Sequence, residues 1–301
     1  MVFQPITISA GQNPLVQFDG LVTTYFLEEP AGTAFQIKQV YKPLPKGPRA
    51  QHVKGAYRGP PPHFHPNQTE RFRVLKGRVG VEIDGDVRIL RPEDGVAVCP
   101  AGRIHRFIVD VDDSHEDAAR VRSKSNGYCS EEEADEDEDE LVLLINATDA
   151  ATDFALDRIF LENWYGLRVD SFKYYGDRID FIQKCATFDG GAHYLPFPAT
   201  LPAWVPKDWS EWIRTFLGYW ITVLIGRWIG GLLGYKPFYR EYTTDWEFAM
   251  AKMRSTWFYR RNLHYAYKAR TPSTVLEKMK PWSDYGAAMM VKEANAKRED
   301  C

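Results

Sequence analysis

Apolar and polar side chains alternate with a period of two through much of the first half of the chain. The runs LVTTYFLEE (21–29), AFQIKQVYK (34–42) and HVKGAYR (52–58) are rich in β-branched and aromatic residues and predict short strands. The pattern is clearest in ERFRVLKGRVGVEIDGDVRIL (70–90), where Glu70, Phe72 and Val74 take one face and Arg71, Arg73 and Leu75 the other. Lys76-Gly77 turns the chain, Val79, Val81 and Ile83 resume the alternation, and Asp84-Gly85 is a hairpin signal. Turn residues at 92–95 and 100–102 bracket VAVC, and HRFIVDV and LVLLINA (141–147) complete the series. Many short strands separated by turn chemistry predict a closed barrel or a sandwich.

Beyond residue 150 the period becomes helical. In ATDFALDRIFLENWYGLRVDSFKYY (151–175) the apolar positions are Phe154, Leu156, Ile159, Phe160, Trp164 and Leu167. DRIDFIQKCATF predicts a second helix, and TTDWEFAMAKMRSTWFYRRNLHYAYKA a further one with Thr244 or Asp245 as its N-cap. All nine tryptophans, Trp164 to Trp282, fall in this half. The fold class is therefore α+β, with a β-rich domain over 1–149 and an α-helical, aromatic-rich extension over 150–301. Helices packed over one mouth of the β domain, or forming a dimer contact, account for the extension. Tyr165, Tyr174 and Tyr175 are lid candidates that nothing singles out.

The run FLGYWITVLIGRWIGGLLGY (216–235) holds twenty residues and one charge, Arg227, with Gly226, Gly230 and Gly234 four apart. That glycine spacing lets helix backbones approach closely. Its length suits a membrane span, yet an arginine near the middle costs about 2.5–3.5 kcal/mol on insertion scales, and glycines weaken the helix. Two readings stay open: a buried or dimer-forming helix, and a segment that meets a membrane surface. Trp204, Trp209, Trp212, Trp220 and Trp228 suit an amphipathic face, although tryptophan also fills large cores.

Composition changes this picture in one place. The 301 residues carry a net charge of −3, but fourteen acids and three bases between 110 and 140 leave +8 for the rest of the chain. EEEADEDEDE (131–140) has nothing to bury and reads as a solvated, disordered insert between strands. The near-neutral balance argues against a nucleic-acid binder. Cys99, Cys129, Cys185 and Cys301 are widely spaced with no CxxC, which excludes a zinc ribbon or disulfide scaffold. The opening MVFQPITISAGQ lacks a secretory pattern, so a cytoplasmic, reducing location is expected.

The candidate chemistry lies in PPPHFHPNQTERFRVLKG and PAGRIH. On an extended segment His63 and His65 point the same way. Glu70 opens the following strand, and His105 follows a Pro-x-Gly turn at the start of another. Three imidazoles and a carboxylate suit Fe(II), Mn(II), Ni(II), Cu(II) or Zn(II) with positions left for substrate. Phe72, Val74, Val81, Phe107 and Val109 share the inward phase and predict an apolar lining, with few inward Gln or Asn. Such a pocket suits a lipophilic or aromatic small molecule. His52, His115, His193 and His264 have no motif partners and receive no role.

These residues resemble the two motifs of the cupin superfamily: HxH, four residues, Glu, six residues, Gly; then Pro-x-Gly, two residues, His. The resemblance covers about residues 34–147 and implies a cupin-type β-barrel (double-stranded β-helix, or jelly roll) with one metal held by His63, His65, Glu70 and His105. The sequence departs from the pattern at Tyr57, where the first motif usually has Gly, at Gly95, one residue nearer the Pro than usual, and at Val109, where Asn often ends the second motif. None of these removes a ligand. A single cupin with a long helical extension looks like the cupin-domain oxidoreductases of fungal secondary-metabolite pathways. That resemblance implies a metal-dependent oxidoreductase, Fe(II) favoured, acting on a small aromatic metabolite; pairing of barrels into a homodimer is a further expectation. The alternatives are a non-redox cupin isomerase, cyclase or decarboxylase, and a non-enzymatic binding or membrane-associated scaffold.

Overall fold

The computed structural model describes residues 3–44, 59–109, 140–198, 202 and 204–269, with side chains to residue 263. The predicted strand at 52–58, the acidic run from 110 to 139 and the chain after 269 lie outside the described residues. Strands and helices through Arg260 form one compact unit, and the chain from Arg261 forms a second.

Alternation becomes strand wherever one face has a core to meet. The strands are β1 (Leu15–Gln17), β2 (Val22–Phe26), β3 (Thr33–Tyr41), β4 (Glu70–Lys76), β5 (Val79–Ile83), β6 (Asp86–Leu90), β7 (Val96–Cys99), β8 (His105–Ile108) and β9 (Leu141–Thr148). They form a six-stranded antiparallel sheet, β1-β2-β3-β9-β4-β7, and a three-stranded one, β6-β5-β8. Among the described residues no continuous ladder joins the sheets, so the expected barrel is an open, two-sheet jelly roll. Asp84 at φ 50 and Gly85 at φ 83 make the left-handed pair that a tight β5–β6 hairpin requires. β9 lies between β3 and β4, and its Leu141, Leu143, Ile145 and Ala147 are buried with Phe35, Ile37, Phe72 and Val74.

Capping residues set where the helices begin. Helix α1 (Arg158–Tyr174) starts at Asp157, whose carboxylate accepts from the Phe160 N–H at 2.9 Å. The periodicity from 151 is not helix, because Gln68 fixes that segment as a loop. Its amide donates to the Leu156 carbonyl at 2.9 Å and accepts from the Leu156 N–H at 2.6 Å. Asp180 caps α2 (Phe181–Gly190) and Asp245 caps α4 (Trp246–Arg254). The single helix predicted from 244 breaks before α5 (Trp257–Ala269), where the Ser255 hydroxyl donates to the Lys252 carbonyl at 2.7 Å.

Helix α3 (Lys207–Leu233) is 27 residues long and has two unlike faces. Its inner face, Gly218, Thr222, Val223, Gly226 and Gly230, is buried. A Cβ on Gly226 would lie 2.4 Å from the Cys185 carbonyl and one on Gly218 2.1 Å from the Leu195 oxygen. Gly226 and Gly218 thus serve backbone contact with α2 and the segment after it, whereas Gly231 meets Phe258 and a Cβ on Gly234 would meet nothing. Between them Arg227 forks onto Asp189 of α2, with two hydrogen bonds of 2.8 Å. Tyr259 donates to the same carboxylate at 2.9 Å.

Candidate metal centre

The strand pattern brings His63, His65, Glu70 and His105 together. Glu70 opens β4 and His105 opens β8, while the HxH segment pairs with β8 through an antiparallel bridge, His63 N–H to His105 O at 2.9 Å and the reverse at 2.7 Å. One potential ligand atom from each of the four lies within 4.8 Å of the others, and all four residues are buried. The Glu70 Oε2 atom is 3.9 Å from the Nε2 of both His63 and His65, and 2.8 Å from that of His105.

Hydrogen bonds behind the rings decide which nitrogen faces inward. A carbonyl can only accept, so each Nδ1 that meets one carries the proton and leaves Nε2 for the centre. The Nδ1–H of His63 donates to Pro61 O at 2.8 Å, that of His65 to Ala192 O at 3.1 Å, and that of His105 to Arg103 O at 2.9 Å. Burial, aided by the neighbouring imidazoles, holds His63 well below its usual pKa, and burial holds His65 at about 4. Both rings are therefore neutral and keep the lone pair a metal needs. Burial opposes charge on His105 too, but the Cys99 sulfur and the Glu70 carboxylate outweigh it and raise His105 to about 10, so its Nε2 holds a proton against Glu70 that a bound ion would displace. The buried His65 Nε2 has no hydrogen-bond partner among the described residues. An orphaned inward nitrogen, clamped rings and a carboxylate fit a divalent transition ion.

Three of the four, His63, His65 and Glu70, line a cavity of about 410 Å³. A wider groove of about 800 Å³ beside Phe64, Trp212, Phe216 and Tyr219 includes none of them. Phe107 is the one residue of the predicted lining that borders the metal-side cavity. Phe72, Val74 and Val81 lie buried in the sandwich core, and Val109 follows the end of β8 at half-exposure. The inward face is right for the first three, but their side chains fill the space between sheets rather than edge the opening. The walls instead come from Phe35, Ile37 and Ile145 on β3 and β9 and from Phe160, Leu161 and Trp164 on α1.

The expectation of few inward amides is corrected. Gln17 and Gln39 are both 3% exposed and line the cavity. The Gln39 amide donates to Thr24 Oγ1 at 3.2 Å and to the Tyr165 hydroxyl at 2.9 Å, and its oxygen accepts from Tyr41 at 3.0 Å. The signal was present in AFQIKQVYK, where Gln39 shares the phase of Phe35 and Ile37.

His193, given no role from sequence, also lines the cavity. Its ring stacks on that of His63 with centroids 3.9 Å apart, and neither ring nitrogen has a hydrogen-bond partner among the described residues. Burial, then the neighbouring His65 and His105 imidazoles that would repel a second charge, keeps it neutral. It reaches the site because Tyr194 pairs with Phe64 through reciprocal backbone bonds of 2.9 and 3.1 Å, extending the HxH segment by one more strand-like neighbour. Ala192 just before it is held at φ 46, a left-handed conformation that costs a residue with a Cβ about 1–2 kcal/mol, and its carbonyl receives His65. No spacing rule connects His193 to the HxH pair, since 128 positions separate His65 from it.

Residues 51–115 match the Cupin domain family. Oxidoreductase OpS7 of Beauveria bassiana (strain ARSEF 2860) is 66% identical over 96% of this chain and 90% of its own length. Probable oxidoreductase patJ of Aspergillus clavatus is 43% identical over 89% of this chain and 74% of its own. Epoxidase atD of Aspergillus terreus is 40% identical over 88% and 74%. A jelly roll with both cupin motifs and likeness along nearly the whole chain make one assignment: the chain belongs to the family of fungal cupin-domain oxidoreductases.

Proposed function

We propose that the protein is a metal-dependent oxidoreductase of secondary metabolism, using Fe(II) held by His63, His65, Glu70 and His105 to transform a small, oxygenated, lipophilic or aromatic metabolite. The observation that carries this reading is the set of three Nδ1–carbonyl clamps, which present imidazole Nε2 atoms toward Glu70 within one buried cluster. The names of the relatives, oxidoreductase and epoxidase, support the redox direction. When bound, the metal would supply a Lewis-acid and redox centre for a substrate oxygen or O2.

The chain's own groups do the rest. Phe35, Phe107 and Phe160 keep water off the buried side of the substrate, while Gln17 and Gln39 face its oxygens. Burial and the Glu70 charge raise the Tyr165 phenol well above its usual pKa, so it holds its proton. Its oxygen already accepts from Gln39, which leaves the O–H to donate toward a substrate oxygen. His193 offers one ring N–H and one lone pair for the same purpose.

Reconstitution tests the reading. Stripped protein reloaded with Fe(II) should regain O2-dependent turnover, and protein reloaded with Zn(II) should not; equal rescue by Zn(II), or full turnover without O2, points to the non-redox cupin chemistries. His193→Phe keeps the stacking area on His63 but removes both ring nitrogens. It should retain the metal and lose about tenfold in kcat/KM, the value of one lost hydrogen bond in the transition state. Metal loss in that variant would make His193 a packing residue only.

A further inference from the structure

The outer face of α3 carries more bare aromatic surface than a folded chain leaves without a use. Trp209, Trp212, Phe216, Trp220, Leu224 and Trp228 recur every three or four residues and are 40–63% exposed. Neighbouring rings touch along the row, Trp212 stacking on Phe216 at 5.2 Å and Phe216 meeting Trp220 at 6.4 Å. The row ends beside Phe258, which stacks on Trp228, and the adjacent Trp257 is 53% exposed. At about 200 Å² per aromatic side chain, the five rings leave roughly 500 Å² uncovered, the size of the largest, often functional, patch on a monomer. These side chains cannot turn inward, because the opposite face is seated backbone to backbone through Gly218 and Gly226.

We propose that this face docks on a membrane, α3 lying flat in the headgroup boundary of an anionic bilayer with its tryptophans at the interface. Three observations select lipid as the occupant. First, the polar side chains between Trp212 and Leu233, indoles aside, are engaged away from the row. Arg214 donates to Phe197 O, Thr215 to Glu211 O, Thr222 to Gly218 O and Arg227 to Asp189; Tyr219 is the exception, packing on Tyr194 behind the row and edge-on against Trp220 within it. A protein partner needs about one hydrogen bond per 100–200 Å² of interface; acyl chains need none. Second, the charges in that stretch are Arg214 and Arg227, the latter balanced by Asp189, and no acid, the helix's two acids lying in its first two turns. Arg254 and Arg260 stand exposed on either side of Trp257 in the chain, a sign that suits anionic headgroups. Third, the Arg227–Asp189 fork ties the middle of the helix to α2, which fixes it along the surface rather than through the bilayer. The inference is independent of the metal chemistry.

Flotation of the full chain with vesicles tests it. Vesicles of phosphatidylcholine with about 30 mol% phosphatidylserine should carry the protein, and phosphatidylcholine alone should carry several-fold less. Trp212→Ser with Trp220→Ser should reduce binding to the anionic vesicles by about tenfold or more while the far-UV spectrum and melting temperature stay as in the parent. Val98→Ser, which removes an exposed apolar side chain on β7, should leave binding unchanged. No recovery with anionic vesicles, or recovery that the tryptophan substitutions leave intact, overturns the proposal. Equal recovery with both vesicle types overturns its electrostatic part. A dimer in sedimentation that the same substitutions dissociate, without vesicle binding, assigns the face to a second copy of the chain.

Discussion

Glu70→Ala should abolish the proposed metal binding while leaving the jelly roll in place. Glu70 is the one anionic donor among four, and its removal leaves three neutral or competing imidazoles to balance a divalent charge. The expected loss of affinity exceeds the roughly 10–100-fold that outer hydrogen-bond partners of metal ligands contribute, and elemental analysis of the purified variant should fall from one metal per chain to near background. The backbone at this position is secured independently: Glu70 pairs with Cys99 on one side and Ala147 on the other. A variant that unfolds would show by its spectrum; a folded variant with full metal content would remove Glu70 from the ligand set.

The second large effect belongs to the helical region. Arg227→Met strands Asp189, which is 0% exposed, with only the neutral hydroxyls of Tyr259 and Tyr194 left on its oxygens and no cation. Burial raises the Asp189 carboxyl, and the guanidinium is the main group that opposes the rise. Breaking one side of a buried pair costs about 3–5 kcal/mol, whereas replacing both sides by apolar groups is often close to neutral. Urea denaturation should therefore show Arg227→Met strongly destabilised and Arg227→Met with Asp189→Leu recovering most of the loss. A single variant within about 1 kcal/mol of the parent would mean that water reaches the carboxylate and the fork holds little.

Most of the β domain was legible because its signals are local. Period-two alternation, Asp84-Gly85 and the Pro-x-Gly turn each act over a few residues, and β4, β5, β8 and β9 appear where those signals put them. The clustering of the four candidate ligands was legible for the same reason: HxH fixes two side chains on one face of one segment, and Glu70 and His105 each open a strand. What sequence could not show is what arrives from far away. His193 and Ala192 complete the surroundings of His65 only because Tyr194 pairs with Phe64, a contact between residues 130 positions apart with no periodic trace. The pocket lining was misplaced for a related reason. Phase tells which face a side chain takes, but not whether it sits at the cavity or deeper between the sheets, and Phe72, Val74 and Val81 are deeper. In α3 the glycine spacing implied close approach, which Gly226 makes to α2 and Gly234 does not make at all, and that Arg227 would face Asp189 depended on the tertiary arrangement.

The backbone pairing of Phe64 with Tyr194 bears on how such proteins can be recombined. A chimera that exchanges only the first 149 residues would sever the carbonyl that orients the His65 ring and discard the imidazole stacked on His63. The transplantable cassette must run from the opening strands through Tyr194, so substrate scope is expected to travel with the first two helices as much as with the sheets.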